Sequence, residues 1–236
     1  RMRIDSSGKA RVGGSSSTMN NSLNVESTTY TLLGLKRTSG VTTGTGELGV
    51  GMETNSQVTV SYDDQGSFVL GTASTPSTQA GFSEKLRIDS SGHITKPAQS
   101  AFLAQPSTPQ GNIGNDGNND IVVLGTVRFD QNSDFASNTF TAPVTGKYQL
   151  SANLYLADID SAATYYQLTL ITSNRSYYYA FDVSSADQDP NRFTFQVNVL
   201  ADMDAGDTAQ LGILQVAGTA QTDITIESYF SGFLAC

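Results

Sequence analysis

The chain has 236 residues, with 13 lysines and arginines against 22 aspartates and glutamates, one histidine (His93), one cysteine (Cys236) and no tryptophan. One histidine cannot build a histidine-based metal cage, and a catalytic triad would have to use His93 itself; one cysteine excludes an internal disulfide or a thiolate cluster. No stretch approaches the ~18 apolar residues of a membrane span, and the first residues carry no signal-peptide pattern.

The charge is unevenly divided. Residues 1–96 hold nine basic and eight acidic side chains, net +1, whereas residues 97–236 hold four basic (Arg128, Lys147, Arg175, Arg192) and fourteen acidic, net −10. A surface that negative repels phosphate backbones, so nucleic acid is not an expected partner. It leaves carboxylates available for a cation such as calcium, the plain alternative being solvated surface. The charge split and a change of composition near residue 97 predict two parts.

The first feature along the chain is a repeat. Arg3-Ile4-Asp5-Ser6-Ser7-Gly8 recurs as Arg87-Ile88-Asp89-Ser90-Ser91-Gly92. The motif reads as a strand that ends in a turn: alternating apolar and polar residues, then Asp-Ser-Ser-Gly, in which glycine is free to take positive φ. The spacing from Arg3 to Arg87 is too long for a solenoid coil and suits a string of modules. Because the chain opens inside the motif, it reads as a fragment of a longer protein. Residues 1–10 are then the end of one module, and 11–96 a second that closes on the same motif.

Between the repeats the chain is rich in Ser, Thr and Gly. Tyr30–Arg37, Leu48–Met52, Gln57–Tyr62 and Ser67–Leu70 are strand-like runs, broken by Ser39-Gly40, Gly44, Gly46 and Asp63-Asp64-Gln65-Gly66. Large apolar residues are sparse. One copy cannot bury enough surface to offset the entropy of ordering it, so interwound or closely packed trimers are expected.

Residues 97–236 differ. Nine strands are predicted: Ala101–Ala104, Ile121–Phe129, Asn138–Phe140, Gly146–Leu156, Tyr165–Thr172, Ser176–Val183, Arg192–Leu200, Asp207–Val216 and Asp223–Leu234. Short strands with turn signals between them predict an antiparallel sandwich of jelly-roll type. Tyr148, Leu150, Ala152, Leu154 and Leu156 alternate with polar residues, as do Phe193, Phe195, Val197 and Val199, and these faces are the expected core.

Three segments carry a resemblance. Phe140-Thr141-Ala142-Pro143-Val144-Thr145-Gly146-Lys147-Tyr148, Asp204-Ala205-Gly206-Asp207-Thr208-Ala209-Gln210-Leu211 and Ser228-Tyr229-Phe230-Ser231-Gly232-Phe233-Leu234 resemble, in order and spacing, segments of the globular heads of the C1q family, which share the tumour-necrosis-factor-like jelly roll. Phe129 and Phe135 also fit the pattern. The resemblance covers the second part of the chain, from position 97 to the last residue. It implies a homotrimer with apolar and aromatic residues along its axis. No collagen-like Gly-X-Y stalk precedes this head. Instead, the Arg-Ile-Asp-Ser-Ser-Gly motif resembles segments that punctuate the fibre proteins of tailed bacteriophages, and Lys96-Pro97-Ala98 looks like a connector. Physically, Pro143 and Gly146 bracket a tight turn, and Gly232 between two phenylalanines leaves room for a close neighbour.

Candidate chemistry is confined to loops and tyrosines. In Asn112–Asp120, the alternating Asp116, Asn118 and Asp120 are candidate calcium ligands, although no glutamate closes an EF-hand pattern. Asp158, Asp160 and Asp187 lie in acidic turns that are too hydrophilic to raise a carboxyl pKa for glycosidase chemistry. Tyr165, Tyr166, Tyr177, Tyr178 and Tyr179 surround Arg175. Some are expected in core or trimer-axis packing and others as a platform for sugar rings, with Tyr177 and Tyr179 on one face and Tyr178 on the other. Tyr166, Arg175, Tyr178, Asp158, Asp160 and Asp187 are the candidate ligand contacts. Loops near 112–120, 158–163, 173–176 and 184–190 are the candidate ligand edge.

The resulting expectation is an all-β protein: fibrous trimeric β modules, then a jelly-roll head over 97–236. It would be a non-enzymatic fibre tip on a virion or other extracellular appendage, bound to other fibre or virion proteins and to a host-surface glycan or protein, without membrane insertion. The alternatives are a polysaccharide depolymerase and a knob that only trimerises the fibre.

Overall fold

The computed structural model describes residues 2–4, 10–12, 46–50, 57–62, 66–73 and 83–236. The chain divides into two compact units, Arg1–Gly46 and Glu47–Cys236. Every regular element among the described residues is a β-strand, and none is a helix long and apolar enough to cross a membrane.

In the first unit, β1 (Met2–Ile4) pairs antiparallel with β2 (Ala10–Val12). At the start of the second unit, β3 (Gly46–Val50), β4 (Gln57–Tyr62), β5 (Phe68–Ala73), β6 (Ser83–Ile88) and β7 (Ile94–Thr95) form a five-stranded sheet in chain order. The expected runs at 57–62 and 67–70 fall on β4 and β5, and the run at 48–52 falls on β3 as far as Val50; residues 51–52 and the run at 30–37 lie outside the described residues.

The strands that flank the repeat pair alike: Ile4 pairs with Ala10 and Ile88 with Ile94, at the same offset, while Asp5–Gly8 of the first copy lies outside the described residues. In the second copy the Asp89 carboxylate accepts the backbone N–H groups of Ser91 (2.8 Å) and His93 (2.9 Å), and Gly92 takes a φ of 89°. This is the self-capping that makes Asp-x-x-Gly a turn. The His93 side chain, 2.9 Å from Asp89, holds that carboxyl below its ordinary range.

From residue 101 the chain builds an antiparallel sandwich from β8 (Ala101–Gln105), β9 (Asp120–Ile121), β10 (Thr126–Asp130), β11 (Phe135–Ala136), β12 (Thr139–Thr141), β13 (Gly146–Ala157), β14 (Tyr165–Thr172), β15 (Ser176–Phe181), β16 (Arg192–Met203), β17 (Thr208–Val216), β18 (Asp223–Ile224) and β19 (Tyr229–Leu234). One sheet runs β10-β8-β19-β13-β16 with β18 beside β13; the other runs β11-β12-β17-β14-β15 with β9 beside β17. β13 to β14, β15 to β16, β16 to β17 and β17 to β18 each cross between the sheets, while β14 and β15 form a hairpin within one, which is the jelly-roll pattern.

Two expected strands are each divided. The run 121–129 becomes β9, paired with β17, and β10, paired with β8. Its middle crosses from one sheet to the other, burying Val122 and Leu124 on the way. The run 223–234 becomes β18 and β19, because the chain detours at Tyr155. There the Ser228 hydroxyl accepts the Tyr155 N–H (2.9 Å) and Thr225 donates its own N–H to the Tyr155 carbonyl (3.0 Å).

The expected core is observed. Tyr148, Leu150, Ala152, Leu154 and Leu156 are buried along β13, as are Phe195 and Val197 on β16, with Phe193 and Val199 half-buried against them. The motif residues share one aromatic cluster: Phe102 stacks on Phe140 (4.8 Å) and Phe135 (5.0 Å) and meets Phe230 edge-on (5.0 Å), and Tyr148 lies 5.4 Å from Phe140. The Tyr148 hydroxyl finds the Val144 carbonyl at 2.7 Å. Gly232 faces inward here. A Cβ on it would lie 2.6 Å from Leu150 Cδ2 and 2.8 Å from Phe102 Cε1, so only glycine lets that ring approach.

Candidate functional site

The direction of the strands decides which loops meet. β13 carries the chain away from the connector and ends at Ala157, just before Asp158; β14 returns, so the turn 173–175 lies at the near end. β15 leads back to 182–191, β16 returns to 204–207, and β17 climbs to 217–222. The connector enters at the near end, where Gln131 donates to the carbonyls of Lys96 (2.9 Å) and Pro97 (3.0 Å) and Leu234 N–H donates to Ser100 (3.0 Å). The whole length of β13 separates the two ends, about 40 Å of extended chain.

The far end, or apex, gathers three of the four expected loops and a fourth, 217–222, which was not anticipated. Asp160 and Asp189 hold them together. The Asp160 carboxylate accepts the N–H groups of Ala162 (2.8 Å) and Thr219, and Gly218 packs against it. Asp189 accepts the Ser161 N–H (2.9 Å) and hydroxyl (2.6 Å) on one oxygen and Gln221 Nε2 (3.0 Å) on the other. These donors, the Ser161 hydroxyl first, hold the Asp189 carboxyl below its ordinary range. Asn115 joins from the 112–120 loop, donating to the Gly218 carbonyl (2.6 Å). The turn signal of Gly218 was available in the sequence; the partners of the loop were not.

Two expected ligand contacts are corrected. Tyr166 is 0% exposed and Asp160 4% exposed, so neither offers a face to a ligand. The Tyr166 hydroxyl sits 2.7 Å from Thr222 Oγ1 and accepts the Asp160 N–H at 3.0 Å, and burial pushes its pKa up. It anchors the apex from below. Asp158 and Asp187 are exposed at this end. Arg175 is corrected in place: it lies at the near end, paired with Asp202 at 3.1 Å, and cannot share a site with them. Tyr178 is 62% exposed on the edge strand β15. Tyr177 packs toward the core and Tyr179 meets Phe195 edge-on at 5.8 Å, so the expected division of faces holds.

In the 112–120 loop the candidate calcium ligands face the loop's own donors. Asp116 accepts Asn118 N–H (2.9 Å) and Asn118 Nδ2 (2.8 Å), and Asp120 accepts Gly114 N–H (2.5 Å). It is thus the amide nitrogen of Asn118, not its oxygen, that faces Asp116, which holds the Asp116 carboxyl below its ordinary range. Among the described residues no three His, Cys, Asp or Glu side chains gather as a metal centre.

The second surface of note is the outer face of the β10-β8-β19-β13-β16 sheet. It presents Ala101, Leu103 and Gln105 on β8; Tyr229, Ser231 and Phe233 on β19; Gln149, Ser151, Asn153 and Tyr155 on β13; and Thr194, Gln196, Asn198 and Leu200 on β16. None is charged, although the surrounding sequence carries fourteen acidic residues. Charge returns only at strand ends, with Lys147, Arg192 and Asp202, and on the edge strand β10 with Arg128. Phe129, Leu200 and Phe233 are 52%, 56% and 49% exposed there. On the flank where β15 and β16 end their sheets, Phe181 stacks on Phe193 (4.2 Å), beside the exposed Tyr178 and Tyr179. The sequence signal for the face was the absence of charge at every second residue of these strands.

No protein-family model and no curated protein matches the chain. Among solved structures it is similar to the globular domain of the zebrafish complement 1qA protein, at 14% identity over 58% of this chain and 98% of that one, with a TM-score of 0.42. It is also similar to murine APRIL, at 10% identity over the same shares of each chain, with a TM-score of 0.43.

Proposed function

We propose that the chain is a non-enzymatic structural and adhesive element: a fibrous β module ending in a jelly-roll head that assembles as a homotrimer and presents its apical loops to a host-surface glycan or protein. The observation that carries this reading is the charge-free outer face with Phe129, Leu200 and Phe233 on it. Protein interfaces are marked by depletion of charge and exposure of aromatic side chains, and an acid-rich monomer gains nothing by keeping so many neighbouring surface positions neutral. The flank at β15 supports the same reading, because an uncharged aromatic edge strand invites pairing unless a partner covers it. Face and flank are different surfaces, so copies meet head to tail and close as a ring; three is the number implied by the motif resemblance. The apex, farthest from the connector, is left for the ligand, and three weak sites acting together supply avidity without new chemistry.

The hexapeptide that recurs at Arg3 and Arg87, with its flanking strands paired at the same offset in both copies, supports a modular fibre. With the sequence resemblance it favours a virion tail fibre, outside the cell and attached to other fibre proteins. Sedimentation equilibrium at micromolar concentration is expected to give three times the subunit mass of 25.0 kDa, and the labelled trimer is expected to bind susceptible bacterial cells. A single-subunit mass overturns the assembly. Release of reducing sugar from purified host polysaccharide replaces adhesion by depolymerisation.

A further inference from the structure

Two hollows lie at the near end of the head, on opposite flanks of the charge-free sheet face. One, of about 340 Å³, is lined by Ile94, Lys96, Ser100, Gln131 and Phe233, on the β8–β10 side. The other, of about 310 Å³, is lined by Lys147, Asn174, Asp202, Asp204 and Cys236, on the β16 side. The first is unfinished in a single copy. Ile94 is 62% exposed beside the half-exposed Phe233. Ser100 is 1% exposed, yet its hydroxyl has no hydrogen-bond partner. A buried hydroxyl without a partner is costly, and a partner from outside removes that cost. Lys96 makes no ion pair among the described residues.

The second hollow offers the complement. Asp202 is engaged by Arg175, but Asp204 is exposed and contributes only its backbone to the local hydrogen bonds, its N–H to Asp207 and its carbonyl to the Asp207 N–H. Its carboxylate has no hydrogen-bond or ion-pair partner among the described residues. Between the hollows runs one cross-strand row, Ala101, Phe233, Gln149 and Leu200, without a charge in it. Lys96 thus stands on the β8 side of this uncharged row, and Asp204 on the β16 side, four residues past Leu200 and just beyond the end of the strand, in a hollow that Lys147 also lines.

Resting on the assembly reading above, we propose that the hollow at Ile94, Lys96 and Phe233 is a socket for the next copy of this chain, whose Asp204 pairs with Lys96. The socket is built jointly by β7, the last strand of the fibre module, and by the head, so the neighbouring copy grips both and fixes the module in register with the head. Charge complementarity and continuity with the neutral face commit the occupant to a second copy of this chain.

The test is a charge swap in the full chain, read by sedimentation equilibrium across a dilution series. Lys96→Glu and Asp204→Lys each place like charges at the contact and are expected to raise the half-dissociation concentration of the trimer roughly tenfold, the more so at low salt. The double variant Lys96→Glu/Asp204→Lys is expected to return it to the wild-type value. Both side chains are exposed, so unchanged circular dichroism and melting of each single variant below the dissociation range excludes misfolding. A trimer indifferent to either single reversal, or a double variant no tighter than the singles, overturns this pairing while the assembly stands. A wild-type chain that sediments as one subunit overturns both.

Discussion

Phe102, Phe135, Phe140 and Phe230 are buried between the two sheets, Phe135 reaching in from the edge strand β11, whereas Tyr179, Phe181, Phe193 and Phe195 lie along the flank where β15 and β16 end their sheets. The first group fills the interior and is spent there. The second is only half finished: Phe195 is buried, Phe181 and Phe193 are half-buried, and Tyr179 is open to solvent. Similar rings therefore serve stability in one place and remain available to a partner in the other. What separates them is how completely neighbouring side chains cover the rings: the first four are at most 6% exposed, whereas Tyr179 is 44% exposed.

The sharpest way to break this comparison is to remove a ring from each cluster. Phe140→Ala is expected to cost about 3–5 kcal/mol in chemical denaturation, independent of protein concentration, because it leaves a cavity lined by Phe102 and Tyr148. Adding volume to the same cluster comes next. Gly232→Ala drives a methyl into Phe102 and Leu150 and is expected to cost about 1–3 kcal/mol. In the open cluster Tyr179→Ser, which removes the edge-on contact with Phe195, is expected to cost the isolated subunit no more than about 1 kcal/mol. The same substitution is expected to lower trimer stability, so that melting becomes concentration-dependent at lower dilution than in the wild type; an unchanged trimer would show that the flank stays open to solvent.

The smallest effect concerns the ends of the sandwich. Asp189 at the apex is held below its ordinary pKa by the Ser161 hydroxyl, then by the Ser161 N–H and Gln221. Asp207 at the base is held down first by the Asp204 N–H. A carboxyl depressed in the folded state contributes stability that is fully present above its unfolded pKa, near 4, and that is lost as pH falls through the folded value. Amide exchange at Ser161 and Asp204 is therefore expected to accelerate below about pH 4, beyond its intrinsic pH dependence, and to be steady between pH 5 and 8. Loss of protection already between pH 5 and 8 would show that these carboxylates do not hold the two loops.

Much of this was legible in the sequence and some of it could not be. Strict alternation along 146–156 and 193–199 predicted the two core strands, since a period of two leaves one face no choice. The resembling segments placed Phe140, Tyr148 and Phe230, which proved to share one cluster. Tyr166 and Tyr178 were indistinguishable beforehand, because tyrosine suits both a core with a hydrogen-bond partner and a wet surface. The Thr222 hydroxyl that satisfies Tyr166 is buried and comes from a loop far along the chain. Asp160 looked like a solvated turn residue for the same reason: the N–H group of Thr219 that helps satisfy it is remote in sequence.

The order of residues alone determined that this is an all-β chain, that one motif recurs at Arg3 and Arg87, and which face of the strands at 146–156 and 193–199 turns inward. These depend on local turn chemistry and side-chain period, which each stretch of chain carries with it. Only the tertiary structure decided that Arg175 stands at the opposite end from Asp158 and Asp187, that the run 121–129 crosses between sheets, and that neutral side chains from β8, β19, β13 and β16 adjoin as one face. Those facts depend on strand direction and on which strands become neighbours, and both are set by long-range pairing that no local pattern encodes.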